Sequence, residues 1–210
     1  MRILIPGLLA ALLFSGCGGG ASVSEHQCIA GDWQTLGYRD GANGQRSTSL
    51  LAHQNACGEH GIVPDRQGYM LGWKEGVREF CEPNNGFVVG ERGGAYYNVC
   101  PAELREPFLA AYHQGRSLYQ ARTTLRQIDR AIVHTTEQLD AVIQEIVSST
   151  AAQFSGTLLP AERLELLART KSLAEEQARL EDQLVDLELE YVDAERELNS
   201  LTASLAAVTY

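Results

Sequence analysis

Two histidines and a cysteine in the N-terminal half have the spacing of metal ligands on one helical face. His53, Cys57 and His60 stand at positions i, i+4 and i+7, and imidazole and thiolate are ligands that zinc and copper accept. A cysteine in a disulfide is no longer a thiolate, so this interpretation depends on the redox state of Cys57. The even number of cysteines described below favours the disulfide, and we therefore predict no metal site and no cofactor.

Carboxylates and aromatic side chains are interleaved in the same half of the chain. Paired carboxylates beside a cleft can hydrolyse a glycan, and the carboxylates in question are Asp32, Asp40, Glu59, Asp65 and Glu75. Aromatic rings can stack on sugars, so Trp33, Tyr38 and Trp73, together with the carboxylate of Asp40, are the candidate ligand-binding residues. The competing interpretation, which we favour, is that the acids cap helices and the rings form a core.

The sequence shows none of the common motifs that indicate catalytic activity. It contains no GxSxG, no HExxH, no phosphate-binding loop and no dinucleotide fingerprint. No serine, histidine and acid group stands out in the sequence. We therefore predict a protein that is not an enzyme and has no catalytic residues.

The N-terminus has the pattern of a bacterial lipoprotein signal peptide. Residues 3–14 form an apolar run after Met1-Arg2, and Ser15-Gly16 precede Cys17. The run is too short to span a bilayer, which needs about 20 apolar residues. We expect cleavage of residues 1–16, lipidation of Cys17 with acyl chains such as palmitate, and a glycine-rich tether over residues 17–27. Gly18 rather than aspartate follows the cysteine, and by resemblance to the sorting rule of enteric bacteria this implies the outer membrane, where we expect the protein on the periplasmic face.

Charge and cysteine content limit the classes of partner. The formal net charge is −10, which argues against nucleic acid and against electrostatic binding to anionic lipid.

Apart from Cys17 the chain has four cysteines, which in an exported protein predict two disulfides. Three pairings are possible, and we favour the one that joins neighbouring segments, Cys28–Cys57 and Cys81–Cys100.

Glycine content divides the chain near residue 115. Residues 21–115 contain 14 glycines, whereas residues 116–210 contain Gly156 alone. The first part predicts short helices near 31–42, 47–60 and 65–80, in which glycines at i and i+4 let another backbone approach closely. Turn-forming residues at 82–87 and 90–94 predict a loop or small hairpin. A further helix should open after Pro101.

Residues 116–210 have the heptad pattern of a coiled coil. One apolar series begins at Leu118 and a second at Arg163, with a turn near 154–160 that contains Gly156 and Pro160. Folding the chain back at Gly156 pairs the two series layer by layer, with Thr135 opposite Gln177. An antiparallel helical hairpin about 50 Å long follows from 1.5 Å per residue. The competing interpretations are two helices of a compact bundle or a parallel oligomer.

The glycine-rich part resembles a bacterial envelope family known as domain of unknown function 2799. The matching motifs lie within residues 28–115 and include Gly31-Asp32-Trp33, Gly37-Tyr38-Arg39-Asp40-Gly41, Phe80-Cys81 and Val99-Cys100-Pro101. The resemblance implies an envelope location and disulfides, and it assigns no chemistry. The coiled-coil extension lies outside the shared region.

These observations predict a mainly α protein: a small disulfide-stapled, glycine-rich helical domain followed by a long antiparallel coiled-coil hairpin. The expected role is structural or interactive, with a lipid anchor at one end and the hairpin presented to a protein partner in the periplasm. Self-association into a homo-oligomer stays open. The alternative is a module of residues 28–115 that binds or cleaves peptidoglycan or another glycan.

Overall fold

The protein is helical throughout the part that the structure describes. The computed structural model describes residues 23–154, 156 and 158–206, and within them it has seven helices and no strand. The helices are α1 (Glu25–Ala30), α2 (Trp33–Ala42), α3 (Ser49–Gly58), α4 (Arg66–Phe80), α5 (Pro83–Glu91), α6 (Ala102–Gln153) and α7 (Pro160–Ala206). The mainly α prediction is confirmed. The predicted lipidation site, Cys17, lies outside the described residues.

The chain divides into two compact units, Met1–Glu79 and Phe80–Tyr210. The helices α1 to α3 and all but the last residue of α4 belong to the first unit, and α5 to α7 belong to the second. Residue 115, where glycine content changes, lies inside α6, so the backbone has no break there. None of the described helices is both long and apolar enough to cross a bilayer.

The first unit begins earlier than the predicted tether allows. The Ser24 hydroxyl oxygen caps α1 by accepting from the Gln27 N–H, and the Gln27 side-chain oxygen accepts from the Ser24 backbone N–H, which completes a capping box. Residues 25–27, assigned above to a flexible tether, are therefore helical. Val23 is already part of the core, together with Cys28, Trp33, Leu36, Leu50, Cys57 and Tyr69.

Glycines bring α2 and α4 into backbone contact. A Cβ atom on Gly37 would overlap the Tyr69 carbonyl oxygen, and one on Gly41 would overlap that of Trp73. The reverse holds for Gly76, whose Cβ would meet the Tyr38 carbonyl oxygen. The predicted close approach of i, i+4 glycine faces is thus confirmed, because only glycine leaves room for this spacing.

Residues 83–91 form a helix rather than the predicted loop or small hairpin. Pro83 occupies the first turn of α5, where a missing N–H costs nothing. Gly86 and Gly90 lie one turn apart and approach the carbonyl oxygens of Phe108 and Tyr112 in α6. Gly86 and Gly90, which the sequence predicts to form turns, therefore form a helix-packing face instead.

Two disulfides join neighbouring segments of the chain. Cys28 pairs with Cys57, and Cys81 pairs with Cys100. This is the favoured pairing of the three that the cysteine count allowed. Each bond lies within one unit: Cys28 is in α1 and Cys57 is near the end of α3, whereas Cys81 and Cys100 lie just before α5 and α6.

The antiparallel hairpin is formed by α6 and α7, which are joined by residues 154–159. Buried Thr135 accepts a hydrogen bond from the side-chain amide of Gln183 at 3.4 Å, and not from Gln177 as predicted. The Gln153 amide reaches Thr170 at 2.9 Å. The pairing of the helices is therefore displaced by nearly one heptad from the register that a turn centred on Gly156 implies.

Candidate functional site

The four candidate ligand-binding residues all have partners within the first unit. Trp33 is buried in the core, and the Trp73 indole N–H donates to the Gln45 carbonyl oxygen at 2.9 Å. The Tyr38 hydroxyl donates to the Glu79 carboxylate, which raises the pKa of Tyr38. Asp40 joins none of these rings, and its carboxylate belongs to a separate group of side chains.

Asp40, His53 and Tyr69 form a hydrogen-bonded network at the centre of the first unit. One carboxylate oxygen of Asp40 accepts from the Tyr69 hydroxyl at 2.7 Å and lies 2.7 Å from Nε2 of His53. The three side chains come from α2, α3 and α4. Because an ionised carboxylate can only accept, Nε2 of His53 carries the proton in this contact.

The network is largely shielded from solvent. His53 is 3% exposed and Tyr69 is fully buried. Burial, reinforced by the hydrogen bond to Asp40, raises the pKa of Tyr69 well above its ordinary value. The second ring nitrogen of His53, Nδ1, is buried and has no hydrogen-bond partner among the described residues.

The helix pair of α5 and α6 follows the same plan as that of α2 and α4, without the polar network. Gly37-Tyr38-Arg39-Asp40-Gly41 corresponds to Gly86-Phe87-Val88-Val89-Gly90, and the segment 69–76 corresponds to 108–115. Asp40 thus corresponds to Val89, and Tyr69 corresponds to Phe108. Close glycine packing therefore does not require the Asp40–Tyr69 hydrogen bond, because the second pair is built with apolar residues at both positions.

The possible metal ligands His53, Cys57 and His60 are engaged in other ways. Cys57 is oxidised, as the even cysteine count predicted, and His60 lies 3.6 Å from the Glu25 carboxylate. The part of the chain that the structure describes contains no group of three or more histidine, cysteine or acidic residues suited to a metal ion.

Two of the candidate catalytic acids accept bonds from backbone near the start of a helix. Asp32 accepts from the Thr35 N–H at 3.1 Å, and this hydrogen bond lowers the pKa of Asp32. Asp65 accepts from the Gln67 N–H at 2.9 Å beside the first turn of α4. The helix-capping interpretation of these two carboxylates is confirmed.

The exposed large apolar side chains of the two hairpin helices, together with Phe154 just after α6, lie on one side of the hairpin; exposed Leu159 belongs to the connecting segment. With Leu118 and Arg163 at heptad position a, they occupy positions b, e and f, whereas positions c and g of α6 from residue 117 and of α7 to residue 200 hold only polar, charged or alanine residues. We call this set the apolar flank: Val133, Ile143, Val147, Phe154, Leu164, Leu167, Val185, Leu189 and Val192.

Both helices contribute to the same flank. In a coiled coil, positions e and g border the seam on opposite sides. Arg169 and Glu145, both at position g, form an ion pair across the seam, with Nε donating at 2.8 Å. Because the g positions of α6 and α7 meet on one side, the e positions of both helices share the other side.

The fold and these sites define an α-helical, disulfide-bonded protein with a glycine-packed core and a coiled-coil extension. Residues 32–117 match the family described as a protein of unknown function, DUF2799. This match agrees with the resemblance in the sequence, and the rest of the hairpin lies beyond the matched residues. No curated protein and no solved structure matches the chain.

Proposed function

We propose that this chain is a lipid-anchored protein of the bacterial envelope that acts through protein contacts made by its helical hairpin. The observation that carries the proposal is the apolar flank. Phe154 is 85% exposed and Leu164 is 69% exposed, although a two-helix coiled coil needs only its inner seam to be apolar. A second apolar surface along the same helices is typical of a site for another protein.

In this proposal the glycine-packed helix pairs, one in each unit, have a supporting role. Backbone contact between the paired helices, with one disulfide in each unit, stabilises each pair. In the first unit, the Trp73 and Tyr38 side chains donate to partners within the unit. These contacts favour the structural role over the alternative of a glycan-binding or glycan-cleaving module, which would need such rings free to stack.

Photo-crosslinking in intact cells tests the proposal on the full chain. A photoreactive residue is placed at Val147 or Val185 on the apolar flank, and in matched controls at Ala141 or Ser172, which are exposed at position c on the other side. We expect proteins to be captured from Val147 and Val185 and only background from Ala141 and Ser172. The captured proteins are identified by mass spectrometry.

Equal capture from both sides, or none from the flank, would overturn the proposal.

The glycan alternative is examined with the same full-length protein. Pelleting with purified peptidoglycan, lost on Trp73→Ala but kept in the flank variants, would favour the alternative over protein contacts.

A further inference from the structure

The part of the apolar flank on α6 continues the face, formed by heptad positions b and e, that packs against α5 nearer the start of the helix. Near its start α6 presents positions b and e to α5 and to the turn that follows it: Arg122 forms an ion pair with Glu91 at 2.7 Å, and a Cβ on Gly93 would meet the Tyr119 ring. From Val133 onward the same face of α6 is exposed. The flank thus has the geometry of a surface on which another helix packs.

Four of the five flank residues of α7 are arranged symmetrically about Ala178; the fifth, Val185, has Lys171 as its counterpart. Leu164 and Val192 each lie 14 residues from Ala178, and Leu167 and Leu189 each lie 11 residues from it. These spacings keep Ala178 and the four leucine and valine residues around it on one stripe of the helix. If two copies of α7 pair antiparallel at Ala178, Leu164 of each faces Val192 of the other, and Leu167 faces Leu189.

Lys171, which lies 3.7 Å from Glu175 of its own helix, can also meet acids of the second copy, whereas Glu181 of each copy stands opposite Glu175 of the other. In the antiparallel pairing, Lys171 stands opposite Val185 of the second copy. Asp182 and Glu188 of the second copy then lie three residues to either side of that position, within reach of the Lys171 ammonium group. The small side chain of Ala178 lets the helices approach closely at the centre.

The size of the flank also suits a dimer. From Leu164 to Val192 it runs about 42 Å at 1.5 Å per residue, and two helices side by side are about 20 Å wide. The resulting face of about 800 Å² per copy equals one side of a standard protein interface. An interface in which the same patch meets itself is what two-fold symmetry requires.

We infer that the partner of the apolar flank is a second copy of this chain, with α7 packed antiparallel on α7 about a two-fold axis at Ala178. Ile143 and Val147 of α6 lie on the same flank and extend the contact. This inference rests on the proposed function, and it names the partner of the surface proposed there.

Cysteine crosslinking of the full chain tests the axis directly. A residue on a two-fold axis meets its own copy, so Ala178→Cys should give a disulfide-linked dimer under mild oxidation. The matched control is Ser172→Cys, which is also exposed but lies on the polar side. A mixture of Leu167→Cys and Leu189→Cys chains should also crosslink, whereas each alone should not. Both positions are exposed, so the substitutions leave the fold intact.

The mass of the detergent-solubilised full chain supplies a second measurement. We expect two copies for the natural sequence and one for Leu167→Glu/Leu189→Glu, with an unchanged circular dichroism spectrum. A single copy for the natural sequence, or equal crosslinking at 172 and 178, would overturn the dimer. If photo-crosslinking at Val147 then captures a different protein, the proposed function stands without the dimer; if it captures none, both fall.

Discussion

Asp40 is the residue on which the polar network of the first unit depends, because it is the common acceptor for His53 and Tyr69. The sequence marked Asp40 as a candidate and placed His53 on a helical face. It did not bring them together with Tyr69, since the contacts span 13 and 29 residues. The comparison with Val89 and Phe108 was available as a sequence signal, in the shared spacing of aromatics and glycines.

Replacing Asp40 alone should destabilise the protein more than copying the apolar pair. Asp40→Val leaves the His53 and Tyr69 donors buried without an acceptor, at a cost of about 1–3 kcal/mol for each. Asp40→Val/Tyr69→Phe reproduces the Val89 and Phe108 pattern and removes one of these donors. Urea denaturation should therefore show a smaller loss for the double variant than the sum of the two single variants. An additive loss would mean that the network has no coupled role.

The hydroxyl of Tyr69 should make stability fall at alkaline pH. Its pKa is raised in the folded protein by burial and by Asp40. The contribution is complete below the unfolded pKa of about 10 and is lost as the pH rises above it. Unfolding free energies measured on both sides of that pH should fall less for Tyr69→Phe than for the natural protein. Identical slopes would show that Tyr69 does not titrate differently on folding.

At the scale of the element, glycine spacing decides how closely the helices pack. The sequence correctly predicts that the glycines of α2 and α4 form a helix-packing face. It does not predict this for α5, where Pro83-Asn84-Asn85-Gly86 has the local signature of a turn. Local propensity and long-range packing point in opposite directions there, and the packing of Gly86 and Gly90 on α6 prevails. The hairpin was predicted from its heptads, whereas its register follows from side-chain contacts that spacing does not encode.

Adding one methyl group to the helix contacts should be costly. Gly37→Ala and Gly76→Ala would force Cβ atoms into the backbone of the facing helix, which costs about 1–3 kcal/mol or more. The matched control is Gly58→Ala in α3, where nothing lies within 4 Å; this change should be neutral or stabilise by up to about 1 kcal/mol. Thermal unfolding of the three variants measures the difference. Equal melting temperatures would contradict the contact geometry.

At the scale of the whole molecule, the proposed membrane localisation depends on lipidation of Cys17. Cys17→Ser should abolish metabolic labelling by a fatty acid and release the protein from the membrane fraction, because acyl chains supply the binding free energy. The matched control is Ser15→Ala, which keeps a small residue before the cysteine and should retain the label. Continued labelling of Cys17→Ser would place the lipid elsewhere, or show that the chain is not a lipoprotein.

The order of the disulfides has a consequence for biosynthesis. Among the four disulfide-bonded cysteines, the first bonds to the second and the third to the fourth, over 29 residues for Cys28–Cys57 and 19 for Cys81–Cys100. When such a chain emerges from a translocation channel N-terminus first, the first bond can close before Cys81 has appeared. Once Cys17 is acylated, an oxidant that joins the other cysteines in their order of arrival makes the native bonds directly. We expect oxidative maturation to proceed without a disulfide isomerase.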